Sequence, residues 1–471
     1  MVYLEKQMLE YLRTQNSNNQ MRSFAVRTPS QKPFTSIFYR RHFLHDIFLM
    51  VSGSLSNFSS AVNKTAGSTN ALCELVEKSQ DFLIRNVHSL DFILDDFDIV
   101  KFGILHAAVI HAKYISQSVV DKEWLVIQTQ NLFNLCNAES LQKIPSYVRV
   151  ISHEFTNCLI NMGIPHKGIN CMLTAIHKLQ KCPGYLTPLH CDLCQLGLAA
   201  KMFSPTLPIL DIDILEIDKS STALEAKDYL LYFYYGGMIY GAVKNWERSL
   251  HFFELCLIIP AVSSSCILIE AAKKIILISL ILHGKFSTVL ETPVAYFMSP
   301  RPWKCYCQPY LELATAFRSN NPEDLTNFVD LHRELFTADF NFGLVKQVIK
   351  CHGKFRIQSL TKTFMTLSLT DVAMRIKLSG TQEAEKQILD MINSKAIFAN
   401  IDQQNGTVHF LDDPEQYDSI KMLRILQEKI TECVNLEKHF MQLTDRLVTN
   451  PNYAKRMIEL ETKAAKSAGQ Y

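Results

Sequence analysis

The residues with the best claim to chemistry are cysteines and histidines at short spacing. Cys191-Asp-Leu-Cys194, with His190 beside it and Cys182 nearby, has the spacing of half a zinc site. A complete site needs a second pair at matched spacing, and none follows. Both cysteines also fall within an apolar helical stripe, so the reading favoured here is core packing. Cys305-Tyr-Cys307 sits between prolines and reads as a loop, with a weaker claim to metal. His153-Glu154 lacks the second histidine of an HExxH zinc helix. No GxxxxGK phosphate loop, GxGxxG turn or GxSxG nucleophile elbow occurs. A thiol nucleophile would need a histidine brought close by the fold. With fifteen histidines in the chain, that remains the one enzymatic alternative open to sequence. The expectation is no catalytic residue, no metal and no cofactor.

These residues must be held by helices. Leu72, Leu75, Val76, Leu83, Val87 and Leu90 recur at helical spacing. Tyr147, Ile151, Phe155, Cys158, Leu159 and Met162 form a second stripe. After a break at Gly163–Pro165, Ile169, Met172, Leu173, Ile176 and Leu179 form a third, ended by Pro183-Gly184. Leu189–Phe203 is a further helix, stopped by Pro205 and Pro208. No useful length alternates with period two. Helices of this length separated by short breaks predict stacked antiparallel pairs, each covering its neighbour's apolar face. Gly237, Tyr240, Ser249, Phe253 and Pro260 fall near the tetratricopeptide pattern, with Ser249 where alanine is usual. Pairs are expected to about Cys351, with Asn321-Pro322 starting one of them.

The pattern then shifts. Ile357, Leu360, Phe364 and Leu367 predict a short helix, and Ser368–Asp371 caps a second over Val372–Leu378. Ser379 is expected to cap a third, Thr381–Ile392. Ile397, Ala399 and Ile401 alternate, Asn405-Gly406 predicts a tight turn, and Val408 and Phe410 alternate on the return. Three helices and a hairpin are the layout of a winged helix. Leu423, Leu426, Ile430, Cys433, Phe440 and Leu447 then recur at three- and four-residue steps on a long amphipathic helix ended by Asn450-Pro451.

The expected fold is thus mainly α: a tetratricopeptide-like helical-repeat solenoid, a winged-helix domain and a long C-terminal helix. The expected divisions are a flexible basic and polar extension over 1–70, repeats over 71–353, a winged helix over 354–413, the terminal helix over 414–450 and a loose tail over 451–471. Tyr11–His45 carries six Lys or Arg and no acid, and Ser52–Asn70 has loop composition. The extension reads as a flexible arm or a start codon chosen too far upstream, or, more sharply, as a basic arm touching an anionic partner or a targeting segment.

Composition agrees with a folded interaction protein. The chain has 471 residues, 48% of them hydrophobic, and a net charge of +2 from 48 basic and 46 acidic side chains. That balance gives no general pull toward nucleic acid or anionic membrane. No run reaches the ~18 apolar residues of a membrane span, and Met1–Glu10 is charged, so no signal peptide is expected. Thirteen cysteines, an odd number spread along a long chain, suggest a reduced cytosolic or nuclear setting. The predicted third helix of the winged domain carries three acids and one lysine, and 354–413 has seven basic and seven acidic residues. Duplex binding needs several Lys or Arg on phosphates, so a protein-binding winged helix is favoured over a nucleic-acid-binding one. Its candidate interface is the hairpin: Ile397, Ala399, Ile401, Val408 and Phe410. A strand edge with unpaired backbone groups can accept a strand from another chain. The second candidate surface is the terminal stripe of Leu423, Leu426, Ile430, Cys433, Phe440 and Leu447, buried either against partner helices or back on the repeats.

A helical array, a winged helix and a terminal helix make up the plan of PCI-domain proteins, which this chain resembles. The runs Tyr234–Tyr240, Lys244–Arg248, Gly343–Gln347, Leu360–Leu369 and Leu378–Lys386 look like those of the third-subunit family of the COP-9 signalosome. The likeness extends from about Ala71 to Asn452. It implies a non-catalytic scaffold subunit of a complex that removes a ubiquitin-like modifier from cullins, the zinc isopeptidase lying in a different subunit. Such isopeptidases use a His-x-His pair, which this chain lacks. The resemblance further implies partners among other PCI subunits, joined through winged helices and terminal helices, and an indirect link to cullin-RING ligases. Cysteine usage and charge balance add the expectation of a cytoplasmic and nuclear location, with no membrane and no nucleic acid as partners. PCI subunits of the proteasome lid or of the translation initiation factor three complex are the nearest alternatives.

Overall fold

The computed structural model describes residues 55–459, apart from 66–68, 88–89, 117–120, 215–216, 218–221, 259–264, 286–299, 320–321, 379, 413–418 and 452. Its chain falls into two compact units that divide between Arg356 and Ile357. The basic arm expected over Tyr11–His45 lies outside the described residues.

Among its described residues, the first unit is built from helices. It opens with α1 (Leu55–Thr65), α2 (Thr69–Lys78), α3 (Gln80–Arg85), α4 (Asp91–Asp96), α5 (Ile99–Ile115) and α6 (Lys122–Leu135). It continues through α7 (Ala138–Lys143), α8 (Pro145–Asn161), α9 (His166–Leu179), α10 (Leu189–Ala200), α11 (Leu207–Leu210) and α12 (Ala226–Val243). The last members are α13 (Trp246–Ile258), α14 (Cys266–His283), α15 (Pro300–Arg318), α16 (Pro322–Leu331), α17 (Arg333–Ala338) and α18 (Phe342–Thr361), whose residues from Ile357 on count with the second unit. Sequential helices pack on one another, α12 on α13, α13 on α14 and α14 on α15, as stacked pairs must. One apolar core runs from Phe58 to Ile209 and a second from Leu186 to Val348.

The tetratricopeptide-like window shows why its residues are small where they are. A Cβ on Gly237 would lie 2.8 Å from the Phe253 ring, and one on Gly236 would lie 2.6 Å from Phe252. Two glycines therefore let α12 and α13 close on a pair of phenylalanines. The Tyr240 hydroxyl donates to Asp211 at 2.7 Å. Pro260 of the pattern lies outside the described residues.

The first unit departs from the sequence reading at two places. Ser52–Asn70, expected to be loop, holds α1 and the start of α2, and Phe58 and Val62 of α1 are fully buried. Their four-residue spacing is a helical stripe that the surrounding Ser and Asn obscure. Cys305-Tyr-Cys307 lies within helix α15 rather than a loop, and Cys307 is buried in the core. Pro300 starts that helix and Pro309 is carried inside it. Pro300 and Pro302 fall in the first turn, where proline is compatible with helix, whereas Pro309 stands in the interior, where it removes one backbone hydrogen bond and the helix continues through it. The capping residue expected at Asn321 lies outside the described residues, though Glu323 and Asp324 do occupy the first turn of α16.

The second unit holds β1 (Thr366–Ser368), α19 (Leu369–Ile376), α20 (Thr381–Asn393), β2 (Phe398–Asp402), β3 (Thr407–Leu411) and the terminal helix α21 (Ile420–Val448). The sheet is antiparallel in the order β1-β3-β2. Its core gathers Ile357, Val372, Ile388, Met391 and Val408. The Ser368 hydroxyl accepts from the Asp371 N–H at 3.0 Å, capping α19 as the S-x-x-D spacing predicts.

Four local expectations are corrected here. Ile357 and Leu360 belong to the end of the long α18 rather than to a separate short helix, and Leu367 lies in β1. Three residues are too short a strand to show alternation. Residue 379 is outside the described residues, and α20 is N-capped by Gly380 without a side-chain bond. The hairpin turn has four residues, because Asp402 pairs with Thr407. Asp402 holds that loop by accepting from the N–H of Gln404 at 3.0 Å and from the Asn405 side chain at 2.8 Å. Gly406 alone takes a positive φ there, +62°. Lastly, residues 453–459 of the expected loose tail are helical, started by Pro451 at a first-turn position.

Candidate interaction surfaces

The Cys191–Cys194 pair lies in the core. Cys191, Cys194 and His190 are all buried in α10. Cys191 donates to the Pro188 carbonyl at 3.0 Å. Burial pushes both thiols far above their usual range and lowers His190 to about 4. These groups are protonated thiols and a neutral imidazole, the opposite of a thiolate poised to attack or to ligate.

A second polar cluster joins α8, α10 and α12. Ser152 donates to one oxygen of buried Asp192, and His153 Nδ1 meets the other at 3.2 Å. Ser152 and His153 thus share an acid without bonding each other, so no nucleophile–base contact exists. Burial opposes the charged form of His153, but the hydrogen bond and charge of Asp192 outweigh it and its pKa is raised. Beside it, Arg149 binds Asp228 at 2.8 Å and Glu225 at 2.6 Å. Glu225 and Asp228 also form the reciprocal capping box of α12. The cluster ties three helices together. A recess of about 320 Å³ near α7 and α8 is lined by residues such as Glu139, Lys143, Lys181 and Tyr185, with no His, Cys or Asp among the described residues of its wall.

The hairpin residues point inward. Ile397, Val408 and Phe410 are buried in the core of their own unit, and Ala399 and Ile401 pack against it. As interface side chains these five are therefore corrected: alternation identified the face that the domain itself covers. The same alternation, read in antiphase, finds the outer face, where Asn400, His409 and Leu411 are exposed. β2 is an edge strand, paired with β3 on one side. On α20, which occupies the recognition-helix position, the exposed charges are Glu383, Lys386 and Asp390. That surface offers little to a phosphate backbone.

Among the described residues, the terminal helix presents a long exposed apolar stripe. α21 runs for 29 residues, is N-capped by Ser419, and has no buried residue. Leu423 is 64% exposed, Ile430 62% and Phe440 59%. Leu426, Cys433 and Leu447 are exposed as well. The stripe is broader than the three- and four-residue steps suggested. Ile420, Val434, Met441 and Val448 are also exposed and widen the same face. They recur at seven-residue steps or a multiple of seven, a spacing that three- and four-residue steps alone do not pick out. Contiguous exposed apolar surface of this kind marks an interaction site.

Comparisons with known proteins agree with this architecture. A family model described as COP9 signalosome complex subunit 3, N-terminal helical repeats, matches residues 66–293, and a PCI domain model matches residues 325–412. The COP9 signalosome complex subunit 3 of Drosophila melanogaster is 36% identical over 431 residues, covering 87% of this chain and 95% of that protein. The protein of the same name from Dictyostelium discoideum is 31% identical over 382 residues, covering 81% of this chain and 90% of its own length. With its helical repeats, its winged-helix sheet and this likeness over most of its length, the chain belongs to the COP9 signalosome subunit 3 family.

Proposed function

We propose that the chain is a non-catalytic scaffold subunit of a COP9 signalosome, binding sister PCI subunits through α21 and through the free edge of its winged-helix sheet. The observation that carries this reading is the exposed apolar stripe of α21. Burying one Leu, Ile or Phe of such a stripe contributes roughly 1.5–3 kcal/mol, so several together supply a strong association. Family membership favours this complex over the proteasome lid and the initiation factor complex. The chain's link to cullin-RING ligases is then indirect, and removal of the cullin modifier belongs to another, zinc-bearing subunit. The buried, protonated cysteines and the acidic α20 support this reading over a thiol enzyme or a nucleic-acid binder.

The test is co-purification from cells. A chain cut before Pro414 should fold and fail to recover the other subunits. Normal recovery would reject α21 as the docking element. We place the protein in both cytoplasm and nucleus, supported by free buried thiols such as Cys171 and Cys256. Fractionation of tagged cells tests that location.

A further inference from the structure

The apolar stripe of α21 carries a charge at its centre. With 3.6 residues per turn, the neighbours of Glu437 at three and four positions either side are Cys433, Val434, Phe440 and Met441. In the free chain Glu437 is exposed and solvated. Of the helix's other acids, Glu428 and Glu432 fall outside the stripe by the same helical geometry and Asp445 sits at one margin of it, while Lys429 at the other margin already pairs with Glu432 at 2.8 Å. Whatever covers the stripe takes water from the Glu437 carboxylate, which is strongly unfavourable without a partner charge. None of its four helical neighbours can supply that charge. A second copy of this chain is the poorer fit: its nearest cations, Lys429 and Lys438, lie at the margins of the stripe, Lys429 already pairs with Glu432, and a parallel pairing would oppose two carboxylates.

We propose that the occupant of the stripe is a helix of a different chain that combines an apolar seam with one Lys or Arg set against Glu437. The ion pair fixes which helix docks and in which register, as a single polar seam residue does in coiled coils. This rests on the scaffold reading above and specifies the chemistry of the partner.

The experiment expresses the tagged full-length chain in cells and measures the sister subunits it recovers. The variants are Ile430→Asp, Glu437→Leu, Glu437→Gln and Glu437→Lys, each with a thermal melt of the free chain. Because Glu437 is exposed there, all three of its variants should melt like the parent. Glu437→Leu and Glu437→Lys should each recover about tenfold less partner or lower still, and Glu437→Gln roughly threefold less, since each leaves a buried cation poorly paired. Native recovery by Glu437→Leu or Glu437→Lys, while Ile430→Asp loses its partners, overturns the ion pair and leaves the scaffold reading intact. Native recovery by Ile430→Asp rejects docking through α21, and the Glu437 proposal with it. A stripe occupied only by a second copy, seen as a homodimer in sedimentation, also overturns it.

Discussion

The Ser249 hydroxyl donates to the Gly237 carbonyl at 2.7 Å, joining α13 to α12 where the two helices approach most closely. Alanine is usual at this position of the repeat pattern, and here a serine of similar size adds a bond between helices. Ser249→Ala should cost about 0.5–1.5 kcal/mol, because the carbonyl keeps its bond within the helix. Gly237→Ala should cost more, about 1–3 kcal/mol, since the new methyl meets the Phe253 ring. Thermal melts of the two variants check the order.

The His153–Asp192 contact makes stability depend on pH with a definite sign. The His153 pKa is raised in the folded chain, so its contribution is fully present below the ordinary imidazole value of about 6.5. It is lost as pH rises through the higher folded value. Nearby Lys227 opposes the shift and Glu154 supports it. Asp192→Asn should therefore be most destabilised relative to the parent in mild acid, with the gap narrowing above neutrality. Melting temperatures across pH 5–8.5 (about that range suffices) test this; a gap that widens with pH contradicts it.

Lys273 is buried between Glu270 at 2.7 Å and Asp339 at 2.8 Å, and Asp339 also accepts from the Tyr310 hydroxyl at 2.7 Å. Removing the cation takes Lys273 from Asp339 and leaves Glu270 with Lys274, at 3.6 Å, in a poorly solvated site. Lys273→Met should destabilise the first unit by about 3–5 kcal/mol. Denaturant titration followed by circular dichroism would show the loss, whereas replacing an exposed lysine such as Lys429 should change stability by less than about 0.5 kcal/mol.

Ile430 and Phe440 lie on an open face, so changing either to Asp should leave the free chain's melting temperature almost unchanged. The same changes should prevent association, because a charge placed in a helix seam is costly to bury. Co-purification alongside the melt separates the two effects.

Much of this arrangement was readable from residue spacing. The stripes around Ile151, Ile169 and Ile430 are long enough that period alone identified the helices, and the S-x-x-D spacing at Ser368 located a cap. Short or disguised elements were not readable. α1 hides two buried apolar residues among serines and asparagines, and β1 spans three residues. The hairpin shows a different limit. Alternation tells that Val408 and Phe410 share a face, but not whether that face meets the domain's own core or a neighbour. The side chain of Asp402 closes a four-residue loop where the Asn-Gly dipeptide suggested a tighter one.

Cys433 has a practical consequence. It is an exposed thiol on the α21 stripe, whereas Cys191, Cys194 and Cys256 are sealed in the first unit. A mild alkylating reagent should therefore mark Cys433 in the free chain, along with exposed Cys182 and Cys266, and spare it once the stripe is covered. One native sulfur atom thus works as a footprint of docking, legible by mass spectrometry without adding a label.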